Sequence, residues 1–410
     1  MKNLVELTRN TCLRRRSLGP MSIVALLLLA ACGGTGSAQA PAAAAPAQSA
    51  GPAAASSSAA PATAGSASAG AGSGQANTTW NDMLAAGRKD GKVAVMGPPI
   101  AALRDAYTTD FAKDTGIPLE YLPVPNANMR ASREVASGSP TFDILESGGA
   151  PLDDLEPNGQ LQPIKPLLVL PEVTDPTAWH GDNGVLYMDK NAREMPRPTS
   201  SLAPLLFINT KLVQPGSIKS GKDLLDPKWK GKIVATDPRI AGPGTATAAY
   251  LDETFGPDFI KALYNGQNTV LVQQDRQAAE GVARGTYAFG IGVSSQSAEL
   301  YRKQGLPIAA DLPPASPGHL GGGFAPLVFV KGAPHPNAAA VFMNWVLSKA
   351  GQTAYSQAVL EVSERKDVAL GSIPPYRVPK DGVKYVDTYA NDYYMNKRAR
   401  LVNEVKSLLS

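Results

Sequence analysis

The chain has 410 residues, with 39 Lys and Arg against 35 Asp and Glu, a formal net charge of +4, 43% hydrophobic residues and two cysteines. Residues 1–31 hold five basic side chains (Lys2, Arg9, Arg14, Arg15, Arg16) and one acid, Glu6, so the remainder is neutral and the basic balance is no evidence for a nucleic-acid partner. Cys12 and Cys32 both precede residue 78, which excludes disulfides and thiolate chemistry from everything that follows.

In chain order, the first legible feature is a basic stretch, Arg14 to Arg16, followed by an apolar run over 21–31 (MSIVALLLLAA). A run this short does not span a bilayer, which needs roughly 20 apolar residues, so it reads as an export signal. Leu29-Ala30-Ala31-Cys32 resembles a bacterial lipobox, in which the cysteine thiol takes the lipid. Residues 33–77 then contain no Asp, Glu, Lys, Arg or His, only small and uncharged residues. Such a segment cannot offset the entropy of ordering itself, and as a coil it reaches roughly 35–40 Å. Exported, periplasmic or at the cell surface, and held to a membrane by a lipid on Cys32 is the expectation. The signal is 1–31, and the lipidated cysteine with its tether is 32–77.

From residue 78 the pattern alternates. Strand-like runs at 92–96 (KVAVM), 117–124 and 142–146 are separated by helical spacing at 100–114 and 129–136, with Gly116 as a helix stop. A β-α-β-α-β order implies a parallel sheet covered on both faces. The rhythm restarts with strands at 232–237, 269–272, 287–293 and 307–312, and helices at 242–255, 259–264, 278–284 and 297–304. Two long apolar runs, 202–209 (LAPLLFIN) and 324–330 (FAPLVFV), are the natural crossings between two lobes. The expected fold is therefore α/β in two lobes. Residues 78–204, completed by about 322–355, form the first, and 205–321 with the C-terminal segment 356–410 form the second.

Five motifs give this outline a family. They are 80–95 (WNDMLAAGRKDGKVAV), 205–213 (LLFINTKLV), 223–238 (DLLDPKWKGKIVATDP), 287–292 (YAFGIG) and 333–352 (APHPNAAAVFMNWVLSKAGQ). Together they resemble the bacterial extracellular solute-binding proteins of ABC importers, in the branch of ferric-iron, thiamine and aminoethylphosphonate binders. The resemblance implies a type II periplasmic-binding-protein-like fold with a ligand cleft between lobes. It also implies a small-molecule solute, an ABC permease and ATPase as partners, hinge closure, and no catalytic residues or cofactor. A monomer is expected.

In open α/β sheets the ligand lies beyond the carboxyl ends of the strands. Here those positions hold Pro98 and Pro99, Ser147 and Gly148, Gly244 and Thr245, and Ser294 and Ser295. Small and hydroxyl residues at helix starts expose backbone N–H groups, which suits a carboxylate, phosphonate or phosphate, although they are also ordinary helix caps. Tyr187 and the 179–182 loop (Trp179-His180-Gly181-Asp182) are candidates for an aromatic wall. The ferric binders carry adjacent tyrosines where this chain has Val293, Ser294 and Ser295, so no metal ligand is assigned there. Tyr393-Tyr394 occurs instead near the C-terminus, where it packs or faces solvent.

Other motifs reduce to chance or structure. The run 216–222 (GSIKSGK) has P-loop spacing but continues with Asp223, which offers no hydroxyl to Mg²⁺. Residues 363–366 (SERK) lack the accompanying motifs of penicillin-binding enzymes. His180, His319 and His335 are too scattered for a zinc site. His319, beside Gly321 to Gly323, is a candidate cleft residue. Fe(III) import, a secreted hydrolase using carboxylates among Asp143, Glu146, Asp153 and Asp154, and a sensor partner are the competing readings.

Overall fold

Two sheets and a short two-stranded crossing organise the chain. The computed structural model describes residues 79–409 apart from positions 126 and 182; the export signal, Cys32 and the tether lie outside the described residues. The first sheet contains β1 (Val93–Gly97), β2 (Leu119–Pro123), β3 (Ile144–Glu146) and β11 (Leu327–Phe329), in the order β11-β3-β1-β2. β1 runs parallel to β2 and β3, whereas β11 is antiparallel to β3. Val93 and Val95 face one core with helices Trp80–Asp90, Pro336–Leu347 and Lys349–Val359, while Ala94 and Met96 face another with helix Ala127–Ala136. Every residue of β1 is buried because both faces of the sheet are covered.

The second sheet has the order β7-β6-β8-β5-β9, built from β5 (Leu206–Asn209), β6 (Ile233–Thr236), β7 (Val270–Val272), β8 (Phe289–Ile291) and β9 (Ile308–Asp311). β6, β7 and β8 are parallel, and β5 pairs antiparallel with β8 and β9. The crossing between the sheets is β4 (Ser201–Pro204) paired antiparallel with β10 (Gly318–Gly321). The expected first crossing, 202–209, is thus two strands divided at Leu205, one in the crossing and one in the sheet. The expected second crossing lies elsewhere: residues 327–329 belong to the first sheet, and Gly318–Gly321 makes the passage. An apolar run marks burial, and a buried sheet strand satisfies it as well as a crossing does.

Two local details bind the first lobe. Asp143, fully buried, accepts from the Ala94 N–H at 2.7 Å and from the His335 N–H at 2.6 Å, with His335 Nδ1 3.0 Å away. Its carboxylate fastens the strand pair to the start of helix Pro336–Leu347, so it is not a free catalytic acid. Trp179 is fully buried in the first lobe's core, with Nε1 donating to the Val173 carbonyl at 3.0 Å and the Arg365 guanidinium 5.3 Å above its ring. The expected aromatic wall from 179–182 is therefore not formed by this tryptophan, which is a core residue.

The C-terminal segment does not rest on the second lobe alone. Ser363 and Arg365 pair with Thr199 and Trp179, Tyr376 packs edge-on against Phe207, Tyr394 joins a first-lobe core, and Val405 joins a second-lobe core. All described residues fall within one compact unit, Gly74–Ser410.

Candidate functional site

The carboxyl ends of β1 and β3 in one lobe and of β6 and β8 in the other define a common edge. A bond crosses directly between the lobes there: Gln296, at the start of helix Ser295–Arg302, donates Nε2–H to the Val359 carbonyl at 2.6 Å. Beyond β8, Gly292 lies so close to helix Pro243–Phe255 that an added Cβ would stand 2.6 Å from the Gly244 Cα. The structure thus brings Gly244, Thr245, Ser294 and Ser295 to one edge of the second lobe.

These four differ in what occupies them. Ser294 caps its helix by accepting from the Ser297 N–H at 3.1 Å, and its own N–H and hydroxyl both donate to Asp275. The Ser297 hydroxyl donates to the same carboxylate oxygen at 2.8 Å. Ser295, buried, accepts from Arg377 at 2.8 Å. By contrast, helix Pro243–Phe255 begins at Gly242 with no side-chain cap, and Pro243 brings no N–H. Gly242 has φ of 147°, a conformation glycine adopts freely, and space for a Cβ is open around it. The Thr245 hydroxyl turns back to the Pro238 carbonyl at 3.0 Å.

In the first lobe, the Pro98 carbonyl accepts from the Tyr121 hydroxyl at 2.8 Å, and Pro99 is exposed. Ser147 Oγ is buried without a partner. Gly148 donates its N–H to the Phe324 carbonyl at 2.8 Å, and a Cβ on it would meet the Gly323 oxygen and the Tyr389 hydroxyl. Tyr187 stands apart: its ring lies 5.9 Å from the Lys165 ammonium and its backbone bridges to Pro196. Its hydroxyl is buried without a partner, and burial, with the Asp189 charge adding, holds the phenol above its ordinary range.

Of this edge, Glu361, Arg197 and Arg377 were not legible in the sequence, whereas Glu146 was already a candidate carboxylate. Glu361 is buried, accepts from the Thr199 hydroxyl at 3.0 Å and pairs with Arg377 at 3.3 Å. Burial raises its carboxyl, and Arg377 opposes the shift. A Cβ on Gly323 would fall within the Glu361 carboxylate, so only glycine at 323 admits it. Glu146, at the end of β3, accepts from the Tyr107 hydroxyl at 3.2 Å. Burial pushes its carboxyl up to about 8, with the Glu361 charge acting in the same direction. Arg197 forms a bidentate pair with Asp387 at 2.8 and 2.9 Å, and Arg197 and Arg377 each keep a buried Nε with no partner. The available signal was proline: Arg197 lies between Pro196 and Pro198, and Arg377 follows Pro374-Pro375-Tyr376, so both arginines are held on stiff backbone.

Chemically, this edge positions two guanidiniums, each paired with a carboxylate, a buried carboxyl, hydroxyls and an open helix start. Among the described residues no cluster of three or more His, Cys, Asp or Glu could hold a metal ion. Tyr393 and Tyr394 are buried, as packing residues.

Comparison with known proteins matches this architecture. The family described as "Bacterial extracellular solute-binding protein" matches residues 96–353. An uncharacterized protein of Haemophilus influenzae is 31% identical over 138 residues, which cover 33% of this chain and 38% of that relative. Among solved structures, AfuA from Actinobacillus pleuropneumoniae, a periplasmic binding protein with fructose-6-phosphate bound, is 19% identical at a TM-score of 0.56, covering 77% of this chain and 98% of that one. Iron-bound HitA from Pseudomonas aeruginosa is 19% identical at 0.54, with 77% and 97% covered. The apo ferric ion-binding protein A of Pasteurella haemolytica is 15% identical at 0.60, with 78% and 98% covered. These likenesses establish the two-lobed type II periplasmic-binding-protein fold that the five motifs led us to expect. The chain belongs to the bacterial extracellular solute-binding proteins.

Proposed function

We propose that this protein is the solute receptor of an ABC importer, exported and tethered through a lipid on Cys32. It captures a small organic anion, a phosphonate or phosphate ester being the leading class, between its lobes and hands it to a membrane permease driven by an ATPase. The observation that carries this reading is the crossing β4–β10, which joins two sheets whose parallel-strand ends meet across a shared edge. The open start of helix Pro243–Phe255 is the favoured anion position, because its leading N–H groups lack a side-chain acceptor. Ser147 supplies a buried hydroxyl without a partner. Closure follows from tighter binding in the closed arrangement than in the open one, with no chemical step.

Iron is the rival cargo, since HitA carries it on a related fold. Against it, the adjacent tyrosines expected of a ferric site are replaced by Val293, Ser294 and Ser295, and both serines are engaged by Asp275 and Arg377. A thermal-shift screen with fructose 6-phosphate, phosphonates, thiamine and Fe(III)-citrate separates the two. A ligand at 100 times its Kd adds about 2.7 kcal/mol. A saturable rise with an organic anion, indifferent to chelator, is expected; a chelator-reversible rise with Fe(III) alone overturns the anion reading. For the anchor, Cys32→Ser should move the protein from the membrane fraction to the soluble exported fraction, and unchanged partitioning would remove the lipid.

A further inference from the structure

The C-terminal chain crosses between the lobes more than once, and its last crossing is bonded at both ends. Around the crossing strands, the Leu320 N–H donates to the Val386 carbonyl at 2.8 Å and the Thr388 N–H returns to the Leu320 carbonyl at 3.0 Å. This segment therefore pairs with β10 itself. Asp387 holds Arg197 by two bonds, and the Tyr389 hydroxyl donates to the Gly323 carbonyl at 2.8 Å with its ring over Gly321 and Gly322. Asn391 then donates to the Met188 carbonyl at 2.8 Å, in the first lobe.

The adjacent tyrosines come next, and they part company. Tyr394 enters a first-lobe core, its hydroxyl 3.3 Å from Asp153 and the Arg398 guanidinium 4.3 Å above its ring. Tyr393 is buried beside the second lobe's Glu253, which also pairs with Lys397 at 3.2 Å. Helix Ala399–Leu408 completes the attachment: Val405 is buried in the second lobe's core and the Leu408 carbonyl accepts from Asn265. We propose that residues 387–398 form an inter-lobe strap, anchored to the first lobe by Tyr394 and Asp387 and to the second by the terminal helix, that restrains the lobes from separating before any solute binds. Because the second-lobe end is a packed helix and the first-lobe end is a handful of side chains, opening releases the first-lobe end. The strap goes beyond the receptor reading, since it biases the lobes whatever the cargo is.

The test is a distance measurement on the solute-free full chain, with Cys12→Ser and Cys32→Ser and spin labels at Lys113→Cys and Lys303→Cys, one exposed position in each lobe. The parent chain should give one short distance population. Tyr394→Ala should add or enlarge a longer population, and the gentler pair Asp387→Asn with Tyr389→Phe should do so to a smaller degree. Should Tyr394→Ala fail to fold, the gentler pair alone decides. Distributions unchanged in the folded variants, or a parent chain already broadly open, overturn the strap. Neither measurement uses a ligand, so failure of the strap leaves the solute screen untouched, and the reverse also holds.

Discussion

Two helices start at the cleft edge of the second lobe, and both begin with small or hydroxyl residues, yet they meet opposite fates. The start at Ser294 is sealed: Asp275 takes its leading N–H and two hydroxyls, and Arg377 lies on Ser295. The start at Gly242 has a proline, a glycine and no side-chain acceptor. Serine at a helix start supplies its own cap and attracts further partners, whereas glycine and proline leave the backbone open. The difference distinguishes a start that completes the protein from one left available to a ligand.

The largest test of the sealed side is Arg377→Met. It leaves Glu361 buried without its cation, which costs about 3–5 kcal/mol and should appear as a lowered denaturant midpoint. Adding Glu361→Gln should restore most of the loss; no restoration would mean that Arg377 acts through packing. On the open side, Gly244→Ala and Gly242→Ala separate close approach from availability. A Cβ at Gly244 would stand 2.3 Å from the Thr236 carbonyl oxygen, so backbone must move, at about 3 kcal/mol. At Gly242 nothing obstructs a Cβ, leaving only backbone strain of about 1–3 kcal/mol. If Gly242→Ala proves the more damaging in melting experiments, the open start is not open.

The sequence disclosed the elements better than their partners. Strand runs such as 92–96 and 232–237, and the stop at Gly116 with φ of 71°, are local signals and appear where expected. The kink at Leu205, the core position of Trp179 and the sealing of Ser294 depend on groups distant in the chain. Asp275 lies 19 residues from Ser294, and Ser295 lies 82 from Arg377. No periodicity encodes such pairings; only the fold brings them together. The small residues at strand ends were legible, but which of them remain free was not.

A pH dependence tests how the open helix is tied to the crossing. His319, in β10, is buried 5.5 Å from the ring of Tyr250, which lies in helix Pro243–Phe255, with the Thr388 hydroxyl 3.2 Å from Nδ1. Burial pushes its imidazole down to about 4, so the native state holds it neutral while the unfolded chain takes up the proton first. The contribution to stability is therefore complete above the unfolded value near 6.5 and is lost as pH falls toward 4. Between pH 7 and 5 the loss is about 2 kcal/mol. His319→Gln should flatten that interval in denaturant titrations; an unchanged slope would assign it to another group.

The smallest effect carries the sharpest meaning for the comparison. Asp275→Ala removes one carboxylate from the start of helix Ser295–Arg302 but leaves the Ser294 cap to Ser297 in place, so it should cost only about 1 kcal/mol. What changes is availability: the Ser294 N–H loses its acceptor beside the positive end of the helix dipole. Inorganic phosphate should then bind the variant measurably more tightly than the parent in calorimetry, with the gain disappearing as salt rises. Equal phosphate affinity in both chains would show that Asp275 is not what separates the two helix starts, and the distinction would have to lie in Arg377 and the ion pair it makes with Glu361.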